Sequence, residues 1–247
     1  MEKTEPFPIE PLEIDKGFPS LLEIPQKPKE LFIRGSLTQA KHKKYIAIVG
    51  SRACSSYGIS VCKKLIAGLR GYNVVIISGL AVGLDTIAHK TALEVGLTTI
   101  ALPGSGLDWK VLYPSINKGL AKEILLSGGA LISEYKADTR GAPWTFPQRN
   151  RLVAGIADII VVVEAQEKSG ALITARLGTE YNKIVCAVPG NIESEFSKGT
   201  NWLLRLGAVP ITSASDILKE LGFEEKEHPA VEDLLINEAE GKILALL

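Results

Sequence analysis

The chain has 247 residues, 46% of them hydrophobic, and its 28 basic residues balance 28 acidic ones. That length supplies one large domain, or one domain with appendages, and enough apolar material for a core. Zero net charge means that whole-chain electrostatics do not announce a nucleic-acid binder, so any basic site is local.

Other classes fall away as quickly. No apolar run is long enough to span a membrane, and the acidic, Pro-rich start MEKTEPFPIEPLE does not read as a signal peptide. Cys54, Cys62 and Cys186 lack a Cys-x-x-Cys spacing and fit a reduced, cytoplasmic setting. His42, His89 and His228 lie far apart, so no metal-site signature emerges.

Residues 1–40 read as an N-terminal arm and lead-in strand, with LFIRGSL (31–37) as the strand. The basic connector KHKK (41–44) leads into strand YIAIV (45–49). Ser55 or Ser56 caps a helix whose apolar positions Ile59, Cys62, Leu65, Ile66 and Leu69 recur at helical spacing. The pattern then repeats. Strand VVIIS (74–78) precedes a helix through Asp85, His89 and Leu93, and strand TTIAL (98–102) precedes a Pro/Gly loop and a helix near 115–127. Strand ALIS (130–133) opens a long polar loop, a helix near 147–157 and strand DIIVVVEA (158–165). A helix from Ser169 to Tyr181, strand IVCAV (184–188), a short helix near 200–206, strand AVPI (208–211) and a helix near 213–221 complete the series. Val/Ile-rich runs without polar alternation suit strands buried on both faces, so a doubly wound α/β domain with a mostly parallel sheet is expected over 41–222. Residues 223–247 read as a charged linker followed by an amphipathic helix that begins a further module.

Small residues end most of these strands and open the next helix, where backbone N–H groups favour anions. Gly50-Ser51-Arg52 is the first such turn. A cation so near a helix N-terminus opposes the dipole unless an anion sits there. Ser78-Gly79-Leu80-Ala81-x-Gly83-x-Asp85 is the second. It departs from the G-x-G-x-x-G dinucleotide fingerprint, since Ala81 replaces the middle glycine. Asp85 and His89 share a helix face at i, i+4. They read as a dipole-supporting Asp and a packed His rather than an acid/base pair, because no nucleophile is placed nearby. The Ser169-Gly170 turn offers another phosphate cradle, with the Thr174 hydroxyl one turn in. Glu164 would hold a ribose hydroxyl or lock an Arg. Neither a Walker A loop nor a nucleophile elbow is present.

The strongest local signal runs from Glu134 to Arg151. It interleaves Lys136, Arg140, Arg149 and Arg151 with Tyr135, Trp144 and Phe146, and adds Asn150. Cations neutralise phosphates, and flat rings stack on the bases that single strands expose. One of Arg149 and Arg151 is expected to pair internally with Glu134 or Glu164, and the other to face ligand.

These residues carry a resemblance. IAIVGSRACSSYG, ISGLAVGLDTIAH, GLDWKVLYP, LISEY, FPQRNRLVAGIAD, VVVEAQEKSGALITA, AVPGN and KGTNWLLRLGAV match, in order, the pattern of the DNA-processing protein A (DprA/Smf) family, and GFPSLLEIPQKPKELFIRG resembles its lead-in. The resemblance implies an extended Rossmann-like fold and a cytoplasmic protein that binds single-stranded DNA. It further implies protection of incoming DNA, loading of the RecA recombinase on DNA during natural transformation, and a homodimer. No catalytic residue, cofactor or metal is expected. By position Arg52 resembles the family's phosphate-contacting arginine, and the basic and aromatic residues before and within FPQRNR its DNA pocket. Dimer contacts are expected in DILKELGF (216–223), through Ile217, Leu218 and Leu221. LLINEAEGKILALL resembles the first helix of the winged-helix domain that ends many members. The competing expectation is a nucleotide sensor or phosphoribohydrolase-like enzyme, with Glu164 or Glu180 working beside Arg149.

Overall fold

Five consecutive buried residues, Val74–Ser78, have no polar alternation and sit at the middle of the sheet, where both faces are covered. In this computed structural model, which describes residues 6–224, nine strands form one sheet in the order β1-β2-β6-β5-β4-β3-β7-β8-β9. They are β1 (Ile9–Pro11), β2 (Phe32–Gly35), β3 (Lys44–Val49), β4 (Val74–Ser78), β5 (Thr98–Ala101), β6 (Ala130–Ser133), β7 (Ile159–Val162), β8 (Ile184–Ala187) and β9 (Val209–Pro210). Strands β3 to β9 pair in parallel, while β1 and β2 add antiparallel at one edge, Ile33 opposite Ile132. The expected doubly wound α/β fold with a mostly parallel sheet is the one observed.

From β3 the chain winds outward through β4, β5 and β6, then returns to β3's other side for β7, β8 and β9. The strand order therefore reverses between β3 and β7, where loops leave in opposite directions and open a crevice at the strands' C-terminal ends.

Helices cover both faces. On one lie α5 (Thr145–Ile156), α6 (Gly170–Glu180) and α7 (Lys198–Arg205), with Leu152, Val153, Ala171, Ala175 and Leu203 in the core beneath. On the other lie α2 (Ser56–Ala67), α3 (Leu84–Glu94) and α8 (Ala214–Glu220), burying Cys62, Leu65, Ile66, Leu84, Ala88 and Ile217. Helix α4 (Lys118–Leu126) closes a third cluster over β5 and β6. Ser55 caps α2 by accepting from the Gly58 amide, which decides between the two expected serines. Ser213 and Asp216 form a capping box on α8.

The N-terminal arm is more ordered than its proline content suggests. Beyond β1 it forms the short helix α1 (Ile14–Gly17) and a 3-10 turn over Pro19–Leu22, and it buries Phe18, Leu21, Ile24 and Leu31 in the core under α5. Gly155 makes room for it, because a Cβ there would meet Leu21 and Ile24. Residues 225–247, which hold most of the expected linker and its amphipathic helix, lie outside the described residues.

The face expected to meet a second copy is used internally. Ile217 and Leu218 are buried in the core against α2, Leu221 packs on the same cluster, and Phe223 stacks edge-on against Tyr72 at 5.6 Å between ring centres. Burial of α8 on its own sheet removes the apolar stripe that DILKELGF displays in sequence.

Candidate nucleic-acid interface

Four helices, α2, α3, α5 and α6, begin near the C-terminal ends of the parallel strands, so their unsatisfied N–H groups share one rim. Three cross-links draw the rim together. Gly83, at φ +82°, lies so close to the Ser51 and Arg52 carbonyls that no side chain fits there. Asn150 Nδ2 donates to the Gly170 carbonyl at 3.2 Å, joining α5 to α6. The Leu84 amide donates to the Ser51 carbonyl at 3.2 Å.

Arg52 is exposed at this junction, its guanidinium carbon 5.2 Å from the centre of the Phe146 ring. It makes no salt bridge among the described residues, and the stack holds the side chain in place while leaving its N–H groups open. Phe146 is half-buried. It packs against Tyr113, with ring centres 5.4 Å apart, and against Gly104, where a Cβ would strike the ring. Trp144, 60% exposed, meets the edge of Tyr135 at 5.9 Å. Lys136 and Arg140 are exposed on the loop after β6. That loop is tied down by the Thr145 hydroxyl, which donates to the Gly104 carbonyl at 2.6 Å, and by the Gly106 amide, which donates to the Thr139 carbonyl at 2.8 Å.

Several expected ligand groups are instead structural. Arg149 and Arg151 are both buried, at 5% and 6% exposure, whereas one of them was expected at the surface. Arg149 donates to the carbonyls of Gly79 and Leu102, and its charge faces Asp85. Arg151 pairs with Glu134 and has no free face for DNA. Helix α5 is covered on more than one side: Arg149 turns in with Leu152 and Val153 towards Gly79 and Leu102, and Arg151, on another side, meets Glu134. Ser78 is fully buried, its hydroxyl donating to Ile48 O at 2.6 Å. Thr174 is buried on the inner side of α6, and Ser51 is buried too. Glu164 locks no Arg: it accepts from the Ser55 amide at 3.0 Å and the Ser55 hydroxyl at 2.5 Å.

The turn amides divide in the same way. The Ser51 amide donates to Glu164 O, and the Gly79 and Ala81 amides donate to Asp85 Oδ2 at 3.0 and 3.2 Å. Asp85 therefore shapes the 79–83 loop from inside. Burial pushes its carboxyl up, and Arg149 with the two amides draws it back down. His89 is the packed residue that its spacing suggested. It bonds Thr99 Oγ1 at 2.7 Å, and burial holds its pKa down at about 3, so it is neutral at physiological pH.

The open part of the rim is thus Gly50, Arg52, Lys136, Arg140, Trp144, half-buried Phe146 and the Ser169-Gly170 turn, where Ser169 caps α6 by accepting from Ala171. Asn150 braces it through Gly170 and by accepting from Arg149 Nε at 3.2 Å. Residue-by-residue reading overlooked two members. Tyr113, 46% exposed, widens the aromatic surface beside Phe146. Asn117 Nδ2 donates to Leu80 O and Thr86 Oγ1, each at 2.8 Å, and so steadies the 79–83 loop from α4's start. Tyr113 lies in GLDWKVLYP, so its only signal was the motif's order; Asn117 had none. Among the described residues there is no cluster that could hold a metal ion, and no helix is long and apolar enough to cross a membrane.

Comparison with known proteins agrees with this architecture. The family model for DNA recombination-mediator protein A matches residues 12–222. Protein Smf of Escherichia coli strain K12 is 40% identical over 205 residues, which are 83% of this chain and 54% of that protein, so the chain spans about half of that relative's length. DNA processing protein DprA of Streptococcus pneumoniae is 41% identical over 211 residues, 85% of this chain and 73% of that protein. Its X-ray structure superposes with a TM-score of 0.79 at 38% identity, covering 91% of this chain and 77% of that one. DNA processing protein A of Helicobacter pylori, in a structure describing that protein's single-stranded DNA binding mode, gives a TM-score of 0.77 at 32% identity over 87% of this chain and 96% of that one. The ordered rim motifs, the reversal point between β3 and β7 and these matches lead to one assignment: the chain belongs to the DNA recombination-mediator protein A family.

Proposed function

We propose that the rim binds the sugar–phosphate backbone of single-stranded DNA, with Arg52 stacked on Phe146 as its central contact. The carrying observation is that stack: an exposed guanidinium held over a ring, beside helix N-termini, with no carboxylate partner among the described residues. Lys136 and Arg140 extend the positive track, and Trp144, Phe146 and Tyr113 offer faces for bases. Backbone contacts position a strand without reading it, so sequence preference is weak. The single-stranded DNA binding mode of the Helicobacter pylori relative supports the same reading. In the cell this activity protects incoming strands and delivers them to the RecA recombinase during recombination and transformation. The test is fluorescence anisotropy with labelled oligo-dT, competed with equal-length duplex across a salt series. The expected result is a single-strand preference with log K falling, per tenfold rise in salt, by about 0.7 for each phosphate neutralised; equal affinity for duplex would remove the stacking role.

The enzyme reading finds no footing in the geometry. Glu164 is committed to Ser55, and Glu180 pairs with Arg176 at 2.9 Å on the surface of α6.

The homodimer, in this reading, uses a groove of about 1500 Å3 between α6, α7 and the edge strand β9. Trp202 and Leu206 are 50% and 64% exposed there, and Ile173 and Ile192 are exposed as well. Its lip mixes Arg176, Lys198 and Arg205 with Glu167, Glu180 and Glu220, a pattern that two identical surfaces related by a two-fold axis can satisfy reciprocally. Leu206→Glu should convert a dimer to a monomer in sedimentation equilibrium; an unchanged mass would move the interface elsewhere.

A further inference from the structure

At the opposite end of the sheet, the N-terminal ends of β3, β7 and β8 form a second cleft, of about 370 Å3. In the parallel register Ile46 pairs with Ile159 and Ile159 with Ile184, so the residues one step earlier, Tyr45, Asp158 and Lys183, stand side by side. His42, Lys43 and Lys44 of the basic connector line the same cleft, together with Phe18, Pro19 and Ser20 from the N-terminal arm. The DNA-binding reading uses none of these residues.

Lys44 and Lys183 therefore meet one carboxylate, and that carboxylate is occupied. Asp158 Oδ2 accepts from the Tyr45 amide at 2.7 Å, and Oδ1 lies 3.7 Å from Lys44 Nζ. Lys43 turns the other way, its Nζ donating to Thr98 Oγ1 on β5 at 3.2 Å, so its ammonium is not shared with β7 and β8. Lys183 is half-buried, and its ammonium has no hydrogen-bond or ion partner among the described residues. Burial pulls its pKa down, and the Asp158 and Glu23 carboxylates offset this only in part. A solvated basic face would leave its lysines extended into water. Holding an ammonium partly out of water without a partner costs the fold free energy, which an anion in the cleft would return. His42 adds a left-handed backbone, φ 59°, at the connector that brings Lys44 to the cleft.

We propose that this cleft is a second anion site that takes a condensed phosphate, a di- or triphosphate group, between Lys44 and Lys183. Lys44 leads into β3 and Lys183 into β8, with β7 between them. Two inter-strand spacings put them roughly 10 Å apart, a span that suits a chain of phosphates better than a single one. The volume is at the small end of ligand pockets. The same chemistry is presented by a nucleoside triphosphate and by consecutive phosphates of a nucleic-acid strand.

Isothermal titration of the full chain separates these sources from each other and from the rim. Inorganic tripolyphosphate is the first probe, ATP the second, and a 20-nucleotide oligo-dT the third. Tripolyphosphate affinity should fall by about tenfold or more in Lys183→Gln, consistent with loss of a charge-assisted contact. It should recover in Lys183→Arg and stay unchanged in Arg52→Ala. Lys44→Gln, at a more exposed position, should weaken binding in the same direction and guards against a folding defect in Lys183→Gln. ATP following this pattern assigns the small-molecule source. Residual oligo-dT binding in Arg52→Ala that depends on Lys183 assigns the strand. The proposal is overturned by no binding of any probe that depends on Lys183, or by loss of tripolyphosphate binding in Arg52→Ala, which would return the anion to the rim. Failure of single-strand binding at the rim would leave these outcomes untouched.

Discussion

Arg149→Met is expected to cost the fold about 3–5 kcal/mol, the range for removing one partner from a buried charge pair. The guanidinium holds the Gly79 and Leu102 carbonyls, at the ends of the neighbouring strands β4 and β5, and faces the Asp85 carboxylate. Methionine keeps much of the volume but leaves the Asp85 carboxyl in a buried site without its cation, supported by the Gly79 and Ala81 amides. Gly79 shows how close the fit is, since a Cβ there would run into the guanidinium. Arg149→Lys is expected to rescue little, because one ammonium cannot reproduce the planar fork across two carbonyls. Urea unfolding monitored by circular dichroism measures the effect, and a loss below about 1 kcal/mol would show that Arg149 is not the clamp we describe. Where the variant remains folded, single-strand binding should fall with it, because the 79–83 loop borders Arg52 through Gly83.

Arg52→Ala is the complementary case: a large loss of DNA affinity with the fold intact. Its side chain is exposed and touches only the Phe146 face, so unfolding curves should overlay those of the parent. Loss of a hydrogen bond to a charged group is worth about 1.5–3 kcal/mol, or roughly ten- to a hundredfold in affinity. The loss should be uniform across oligonucleotide sequences, and the salt slope should shrink by about 0.7. Arg52→Lys keeps the charge and gives up the planar stack, so an intermediate affinity is expected. Unchanged anisotropy titrations for Arg52→Ala would remove it from the site. The pair of variants separates two kinds of arginine that look alike in sequence: one supports the rim from beneath and the other meets the ligand.

Much of the fold was legible because its signals are local. Val74–Ser78 and Ile159–Val162 are apolar without alternation, and only a strand covered on both faces tolerates that pattern. Ser55 and Ser169 stand where caps are needed, and each accepts from an amide of its own helix. Strict alternation of strands and helices then leaves few topologies. The arm was harder to read because proline and short elements hide periodicity. Phe18, Leu21 and Ile24 are held by tertiary burial under α5 rather than by any helical repeat of their own.

The candidate site was legible in its chemistry and not in its geometry. The amino-acid sequence by itself determined that cations and aromatics gather between 134 and 151, that Arg52 opposes a helix dipole, and that glycines end the strands. Only the tertiary structure decided which of them face outward. Helix α5 is covered all round over its second half, which buries Arg149 and Arg151 on different sides, Glu164 bonds Ser55 instead of an arginine, and α8 spends Ile217 and Leu218 on its own core. The reason is physical. A local pattern specifies an element and its apolar stripe, but the exposure of a charged residue depends on what packs over it and whether a partner compensates its burial. That partner is distant in the chain: Asp85 and Gly79 for Arg149, Glu134 for Arg151, and the Phe146 ring for Arg52.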